Sequence, residues 1–132
     1  MSTSTENEEM VRKVYDGYAR RDVAAALADF SPDVEFVQTD LLPWGGSYRG
    51  MDGAQASLGK LLAHVDSRVE IEEVITAGDH VVVIGRTRGT VRETGASFDV
   101  RAVHVWTVAS ARIRRFEAYI DTPGMLAALE RS

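Results

Sequence analysis

Hydrophobic residues recur at helical spacing in the first part of the chain. From Val11 to Tyr18 the apolar positions lie three or four residues apart, which predicts an amphipathic helix. Asp22 precedes the segment VAAALADF, and its carboxylate can cap a short second helix. Residues 1–8 are small and polar, and we expect them to form a disordered N-terminus.

A strand and a third helix are predicted next. The segment DVEFVQTD, residues 33–40, alternates in polarity and indicates a strand. Its inward side carries Val34, Phe36, Gln38 and Asp40. PWGGSYRG, residues 43–50, is interpreted as an irregular loop. The apolar stripe from Met51 to Val65 predicts the third helix.

The hydrophobic period changes in the second half of the chain. Short turns separate four strand-like segments, at residues 67–78, 79–91, 96–108 and 112–121. Thr122 followed by Pro123 marks the start of a last helix. This order predicts an α+β fold, in which three N-terminal helices cover one face of a curved, mixed or antiparallel sheet.

The other face of the predicted sheet is apolar as well. VVVI, residues 81–84, is hydrophobic at every position, and Val103 and Val105 lie on the side opposite His104. The predicted helices are too few to cover both faces. We therefore expect a homodimer that forms through the outer face of the sheet.

Composition narrows the classes of function. A chain of 132 residues forms one domain, here residues 9–132, with room for one modest pocket. The net charge of −5 opposes phosphate binding, so we expect no nucleic-acid partner. Without cysteine there is no disulfide or thiol chemistry. No apolar run is long enough to span a membrane, and we expect a cytoplasmic protein.

Three stretches together resemble a known family. They are ARRDVAAALADFSPDVEF, PWGGSYRGMDG, and the segment from VHVWTV to ARIRRFEAYIDTP. They resemble the nuclear transport factor 2-like superfamily and, within it, the SnoaL-like, polyketide cyclase-like family. The resemblance implies a cone-shaped, cystatin-like fold with a small-molecule pocket between sheet and helices. Since the superfamily includes isomerases, cyclases, hydrolases and binding proteins, it leaves the activity open.

The resemblance also allows known chemistries to be compared with this chain. At the positions of the carboxylate base and the oxyanion-hole tyrosine of ketosteroid isomerase-like members, this chain carries Gln38 and Val14, so that mechanism is excluded. Only Arg86 remains of the Asp-Arg-Asp set of the epoxide hydrolase-like members. The histidine of the cyclase-like pair matches His104, whereas Ala118 stands where its carboxylate partner would be.

His104 is the strongest candidate for a catalytic group. An unperturbed histidine pKa near 6.5 suits a general base, and Asp40 could complete an acid–base pair with it. The alternatives are a buried neutral histidine bonded to a backbone carbonyl or a tyrosine, and an aspartate in a solvated loop. Arg86 with Gln38 could steady an oxyanion. The alternative is a strand end that extends into solvent, with Arg88 paired to an acidic neighbour.

The remaining candidates define a predicted binding site. Trp44 and Tyr48 either form a glycine-hinged lid over a ligand or close the sheet edge. The predicted ligand-binding residues are Val14, Tyr18, Phe36, Gln38, Trp44, Tyr48, Leu58, Arg86, Trp106, Phe116 and Ala118. The expected ligand is a small apolar compound with a carbonyl or carboxylate, processed by isomerase-, cyclase- or hydrolase-type chemistry. The alternative is a non-catalytic ligand carrier. His64 and His80 form no ligand-spaced pair, and we expect neither metal nor cofactor.

Overall fold

Four helices and six strands follow one another along the chain. The structure, a computed structural model, describes residues 4–130. The elements are α1 (Ser4–Ala19), α2 (Val23–Ala26), β1 (Phe30–Gln38), β2 (Gly46–Arg49), α3 (Gly50–His64), β3 (Val65–Ala77), β4 (His80–Val91), β5 (Ser97–Ala109), β6 (Arg112–Ile120) and α4 (Thr122–Glu130). The Asp22 side chain accepts a hydrogen bond of 3.1 Å from the Ala25 amide, which confirms the predicted cap of α2.

The six strands form one sheet in the order β2-β1-β6-β5-β4-β3. β1 runs parallel to β6, and every other neighbouring pair is antiparallel. The α+β fold with a mixed sheet is therefore confirmed. The four strands predicted in the second half of the chain begin and end within two residues of β3 to β6. They do so because the change from helical to alternating periodicity is a direct signal of burial on one face.

Several local predictions are wrong. Helix α1 begins at Ser4, so residues 4–8 are not disordered, and residues 1–3 lie outside the described part of the chain. Asn7 lies one turn before Val11 and is buried, so the inner face of α1 extends beyond its apolar stripe. The predicted loop contains strand β2, which pairs with β1. The last helix is as predicted, because α4 begins at Thr122.

Helices cover the inner face of the sheet. A row of neighbouring residues runs across the inner face from Val83 through His104 and Ala118 to Gln38. On this side Val11 and Ala54 contribute to the core from α1 and α3. A second buried cluster, around Trp44, Phe98 and Met125, brings α4 against β5 at the other end of the inner face. Among residues 4–130, no helix has the length and hydrophobicity that crossing a membrane requires.

Two glycines permit the close packing of β3 against β4. A Cβ atom at Gly85 would lie 1.9 Å from the carbonyl oxygen of Glu70, and one at Gly89 would lie 2.0 Å from that of Asp66. The register of this pair shifts between Ile71 and Glu73, next to Gly85. Strands bend at bulges and at glycines where backbones approach closely, so this part of the sheet depends on the absence of a side chain.

We expect Gly85→Ala to lower the free energy of unfolding by about 2 kcal/mol or more, because a backbone must move to admit the methyl group. Gly59→Ala is the matched control. Nothing lies within 4 Å of a Cβ at exposed Gly59 in α3, so this change should raise stability by up to about 1 kcal/mol. Urea unfolding measures both values. Equal effects of the two substitutions would contradict this account of the sheet.

Candidate functional site

A cavity lies between the inner face of the sheet and the helices. Helices α1 and α3 supply one wall, and strands β1, β3, β5 and β6 supply most of the other. Most of its lining is aromatic or aliphatic. The structure brings together these predicted residues: Val14, Tyr18, Phe36, Gln38, Trp44, Leu58, His104, Trp106, Phe116 and Ala118. Alternation along β5 and β6 therefore predicted which side chains face inward.

The size of the cavity suits one small ring. Its volume is about 110 Å³. An apolar cavity of ~150 Å³ accommodates benzene, and the space here is somewhat smaller, so it admits one small ring and nothing larger without local adjustment. The polar lining side chains are Tyr15, Tyr18, Gln38, Ser57, Ser67, Thr87 and His104. None of them carries a full charge at neutral pH, unless the histidine is protonated.

A chain of hydrogen bonds links α1 to β5 at the wall of this cavity. Trp106 Nε1 donates to Tyr15 Oη at 2.9 Å, and Tyr15 Oη lies 2.7 Å from His104 Nδ1. The rings of Tyr15 and His104 are 3° from parallel, and Phe116 meets the imidazole edge to face at 5.0 Å between centroids. The imidazole is therefore held in one orientation by a hydrogen bond and by ring packing.

Burial keeps this chain uncharged at neutral pH. Because removal from water disfavours the imidazolium, burial lowers the pKa of His104 from 6.5 to about 4. Burial likewise raises the pKa of the Tyr15 hydroxyl well above its ordinary value, and the hydrogen bond from Trp106 offsets only part of this. At pH 7 His104 is neutral and Tyr15 is protonated. Of the alternatives, the geometry matches the buried neutral histidine bonded to a tyrosine.

A second polar group lies where α1 meets β3. The hydroxyl of Tyr18 is 2.7 Å from Ser67 Oγ, and Arg21 Nη2 donates to the carbonyl oxygen of Ser67 at 2.6 Å. Burial is also the main reason why the pKa of Tyr18 is raised. Gln38, by contrast, makes no side-chain hydrogen bond to another residue within 4–130, and its amide is available to the cavity.

Arg86 is not part of the cavity lining. Its side chain lies on the outer face, where Nε donates to Asp99 Oδ1 at 2.6 Å and holds the pKa of Asp99 below its usual range. Arg88 bonds to the other oxygen of Asp99 and to Glu70. The prediction that Arg86 faces the pocket is wrong because VVVI is apolar on both sides of β4, and the inward residues are Val81 and Val83.

Two other predicted site residues also lie outside the lining. Asp40 follows the end of β1 in an exposed turn, so it is a loop carboxylate rather than the partner of His104. The Tyr48 hydroxyl donates to the Gly45 carbonyl oxygen at 3.0 Å, and the ring packs against the helix side of the core. Trp44 is 2% exposed and closes one end of the cavity as part of the core, which excludes a hinged lid in this conformation.

Tyr15 lines the cavity, but the sequence did not single it out as a site residue. It belongs to the apolar stripe of α1, where a tyrosine is ordinarily a core residue. Its partners His104 and Trp106 are 89 and 91 positions away, so no periodicity connects them. Thr87 was missed because the opposite side of β4 had been taken as the inward one, and Ser67 because no side of β3 had been assigned. Within residues 4–130, no three His, Asp or Glu side chains are grouped as metal ligands.

Comparisons with known proteins give the same picture of the fold. The model of the SnoaL-like domain family matches residues 11–116. The uncharacterized protein Rv0034 of Mycobacterium tuberculosis is 31% identical over 118 residues, covering 87% of this chain and 88% of that protein. The crystal structure of an NTF2-like protein of unknown function from Burkholderia pseudomallei superposes with a TM-score of 0.89 at 31% identity, covering 99% of this chain and 100% of that one.

A further solved structure includes a small molecule. TerC, co-crystallised with polyporic acid, is 28% identical to this chain with a TM-score of 0.87. The similarity covers 96% of this chain and 99% of TerC. The expected nuclear transport factor 2-like fold is thereby confirmed.

The pKa of His104 predicts how stability changes with pH. Between pH 6.5 and about 4 the unfolded chain binds a proton on His104 that the folded protein does not. The contribution of His104 to the free energy of unfolding is therefore fully present above pH 6.5. It is lost as the pH falls towards 4, by at most about 3 kcal/mol. Urea unfolding across this range should show a steeper loss for the wild type than for His104→Gln, which cannot titrate. Parallel curves would contradict the buried neutral imidazole.

Proposed function

Because the chain belongs to the SnoaL-like family, we propose that its cavity binds one small, apolar and uncharged organic compound. The observation that carries this proposal is the lining: a continuous apolar surface interrupted by a few neutral hydrogen-bonding groups. Ligand pockets in general combine these two features, since apolar contact provides affinity and the polar groups fix orientation. The co-crystallisation of TerC with polyporic acid supports small-molecule binding by this fold.

The absence of charge in the lining argues against a carboxylate ligand. Among residues 4–130, no lysine or arginine contributes to the cavity wall. A carboxylate moved from water into apolar surroundings without a cation loses its hydration and gains no ion pair. Arg86, which was expected to meet it, is engaged by Asp99 on the opposite face. Of the two ligand types expected from the sequence, the carbonyl compound is the better match.

The electrostatics of His104 favour binding over acid–base catalysis. Because the pKa of His104 is about 4, its neutral imidazole is a weak proton acceptor at neutral pH. The residue beside it on β6 is Ala118, so no carboxylate there can raise its basicity. Isomerase-, cyclase- or hydrolase-type chemistry that depends on His104 as a base therefore has little support. A carrier or binding protein is the function that we favour.

The outer face of the sheet supports the proposal of a homodimer. Its centre is apolar and open to solvent: Ile75, Val82, Ile84, Val103, Val105 and Tyr119. Ile75 and Tyr119 are 42% and 56% exposed. Several charges beside this surface are paired within the chain, including Arg88 with Glu70 and Asp99, which reduces the charge that a second copy would meet there. The cytoplasm stays our expected compartment.

Filling the cavity should abolish ligand binding. We expect toluene to give saturation-transfer NMR signals with the wild type, and Ala118→Leu to remove them because the larger side chain occupies the space beside His104. Ala63→Leu, at an exposed position of α3, is the matched control and should keep the signals. Thermal unfolding of both variants confirms that they are folded. Equal signals from all three proteins would contradict binding in this cavity.

A charge at the centre of the outer face should prevent dimerisation. Val105 lies between Val82 and Glu117 on the neighbouring strands, so Val105→Glu places a carboxylate within the apolar surface and beside another carboxylate. Light scattering after gel filtration should give a dimer for the wild type and for Ala63→Glu, and a monomer for Val105→Glu. A monomeric wild type, or a dimeric Val105→Glu, would contradict the proposed interface.

A further inference from the structure

We propose that Tyr15 and Trp106 hold His104 in the tautomer with its proton on Nε2, and that this N–H selects ligands bearing a neutral hydrogen-bond acceptor such as a ketone oxygen. Tyr15 is then a positioning residue, because it acts on the ligand through His104. This inference rests on the proposed function and adds to it the polarity of the group that the cavity recognises.

The donor and acceptor properties of the three side chains determine the tautomer. The indole Nε1 of Trp106 can only donate, so Tyr15 Oη accepts that bond at 2.9 Å. The single hydroxyl proton of Tyr15 then needs an acceptor. Within residues 4–130, His104 Nδ1 at 2.7 Å is the side-chain atom positioned to take it. A neutral imidazole that accepts at Nδ1 carries its proton on Nε2.

The opposite tautomer would leave a buried donor without a partner. If Nδ1 carried the proton, it would donate to Tyr15 Oη, and Tyr15 would accept from both His104 and Trp106. The tyrosine proton would then have no acceptor among the described residues, at a side chain that is partly buried against the core. A buried hydroxyl without a partner costs its whole desolvation energy, so the network favours one direction of donation.

The Nε2 proton is the part of His104 that remains for a ligand. Nε2 makes no hydrogen bond to another residue within 4–130, and the ring lines the cavity. Across the sheet His104 neighbours Ala118, and Ala118 neighbours Gln38. The methyl group of Ala118 leaves space between the two polar side chains, whose backbones lie about 10 Å apart across two strand spacings. A small ring over Ala118 can therefore direct one polar substituent to His104 and another to Gln38.

This arrangement discriminates between ligand polarities. A ketone oxygen accepts the Nε2 proton and needs no further partner. A hydroxyl in the same place can accept that proton too, but its own proton then requires an acceptor in an apolar environment. A hydrocarbon of the same shape leaves Nε2–H unpaired. We expect the affinity order to be ketone, alcohol, hydrocarbon, because unpaired buried donors are costly.

The tautomer can be measured without any ligand. In ¹⁵N-labelled protein at pH 7, long-range ¹H–¹⁵N correlation should show His104 Nδ1 as the unprotonated nitrogen and Nε2 as the protonated one. Tyr15→Phe removes the donor to Nδ1, and the two nitrogen signals should move towards a mixture of tautomers. Tyr48→Phe removes a hydroxyl that bonds to Gly45, outside the cavity, and should leave them unchanged. A proton on Nδ1 in the wild type would overturn the inference.

Ligand selectivity separates this inference from the proposed function. Cyclohexanone and methylenecyclohexane have similar shapes and differ in the acceptor oxygen. We expect the wild type to bind the ketone about tenfold more tightly, and Tyr15→Phe to reduce this ratio while toluene still binds. If the wild type binds toluene but binds cyclohexanone and methylenecyclohexane with equal affinity, this inference alone is overturned. No binding of any of the three compounds would overturn the proposed function.

Discussion

The hydrogen bond between Tyr15 and His104 connects the two layers of the domain at the place where the cavity begins. Tyr15 comes from the first helix and His104 from a strand near the middle of the sheet, so the bond joins the helix to the sheet. Trp106 adds a second bond from the same strand. Because the three polar atoms satisfy one another, they can be buried among aromatic side chains without charge. The space beside them is enclosed mostly by aromatic and aliphatic side chains.

The alternation of side chains gives the sheet two different surfaces from one set of strands. On the inner face, small residues such as Ala118 lie among large ones and leave an interior space. On the outer face, β-branched residues including Val82 and Val105 present an open apolar surface beside a group of ion pairs. Successive residues of β4 point to opposite faces of the sheet, so Val83 lies in the core whereas Arg86 lies on the outer face. Cavity and expected dimer interface are therefore consequences of the same period of two.

The sequence predicted the elements that have a clear period and failed where the period is ambiguous. Alternation around His104 and Phe116 assigned the inner face of β5 and β6 correctly. In β4 both faces are apolar over VVVI, so only the register, in which Val83 lies beside His104, shows that Arg86 faces outward. Strand β2 was missed because a four-residue edge strand with two glycines nearby has no hydrophobic pattern of its own. The role of Tyr15 depends on a contact across 89 positions, which a single sequence does not encode locally.

A neutral site explains why this cavity suits recognition better than proton transfer. The same burial that shapes the pocket lowers the pKa of His104 and raises that of Tyr15, so neither group exchanges a proton readily at neutral pH. A crystal structure of the protein soaked with cyclohexanone tests this account most directly. We predict the ring over Ala118 and the ketone oxygen within hydrogen-bond distance of His104 Nε2. A ketone bound elsewhere on the protein, or bound in the cavity with its oxygen directed away from His104, would contradict it.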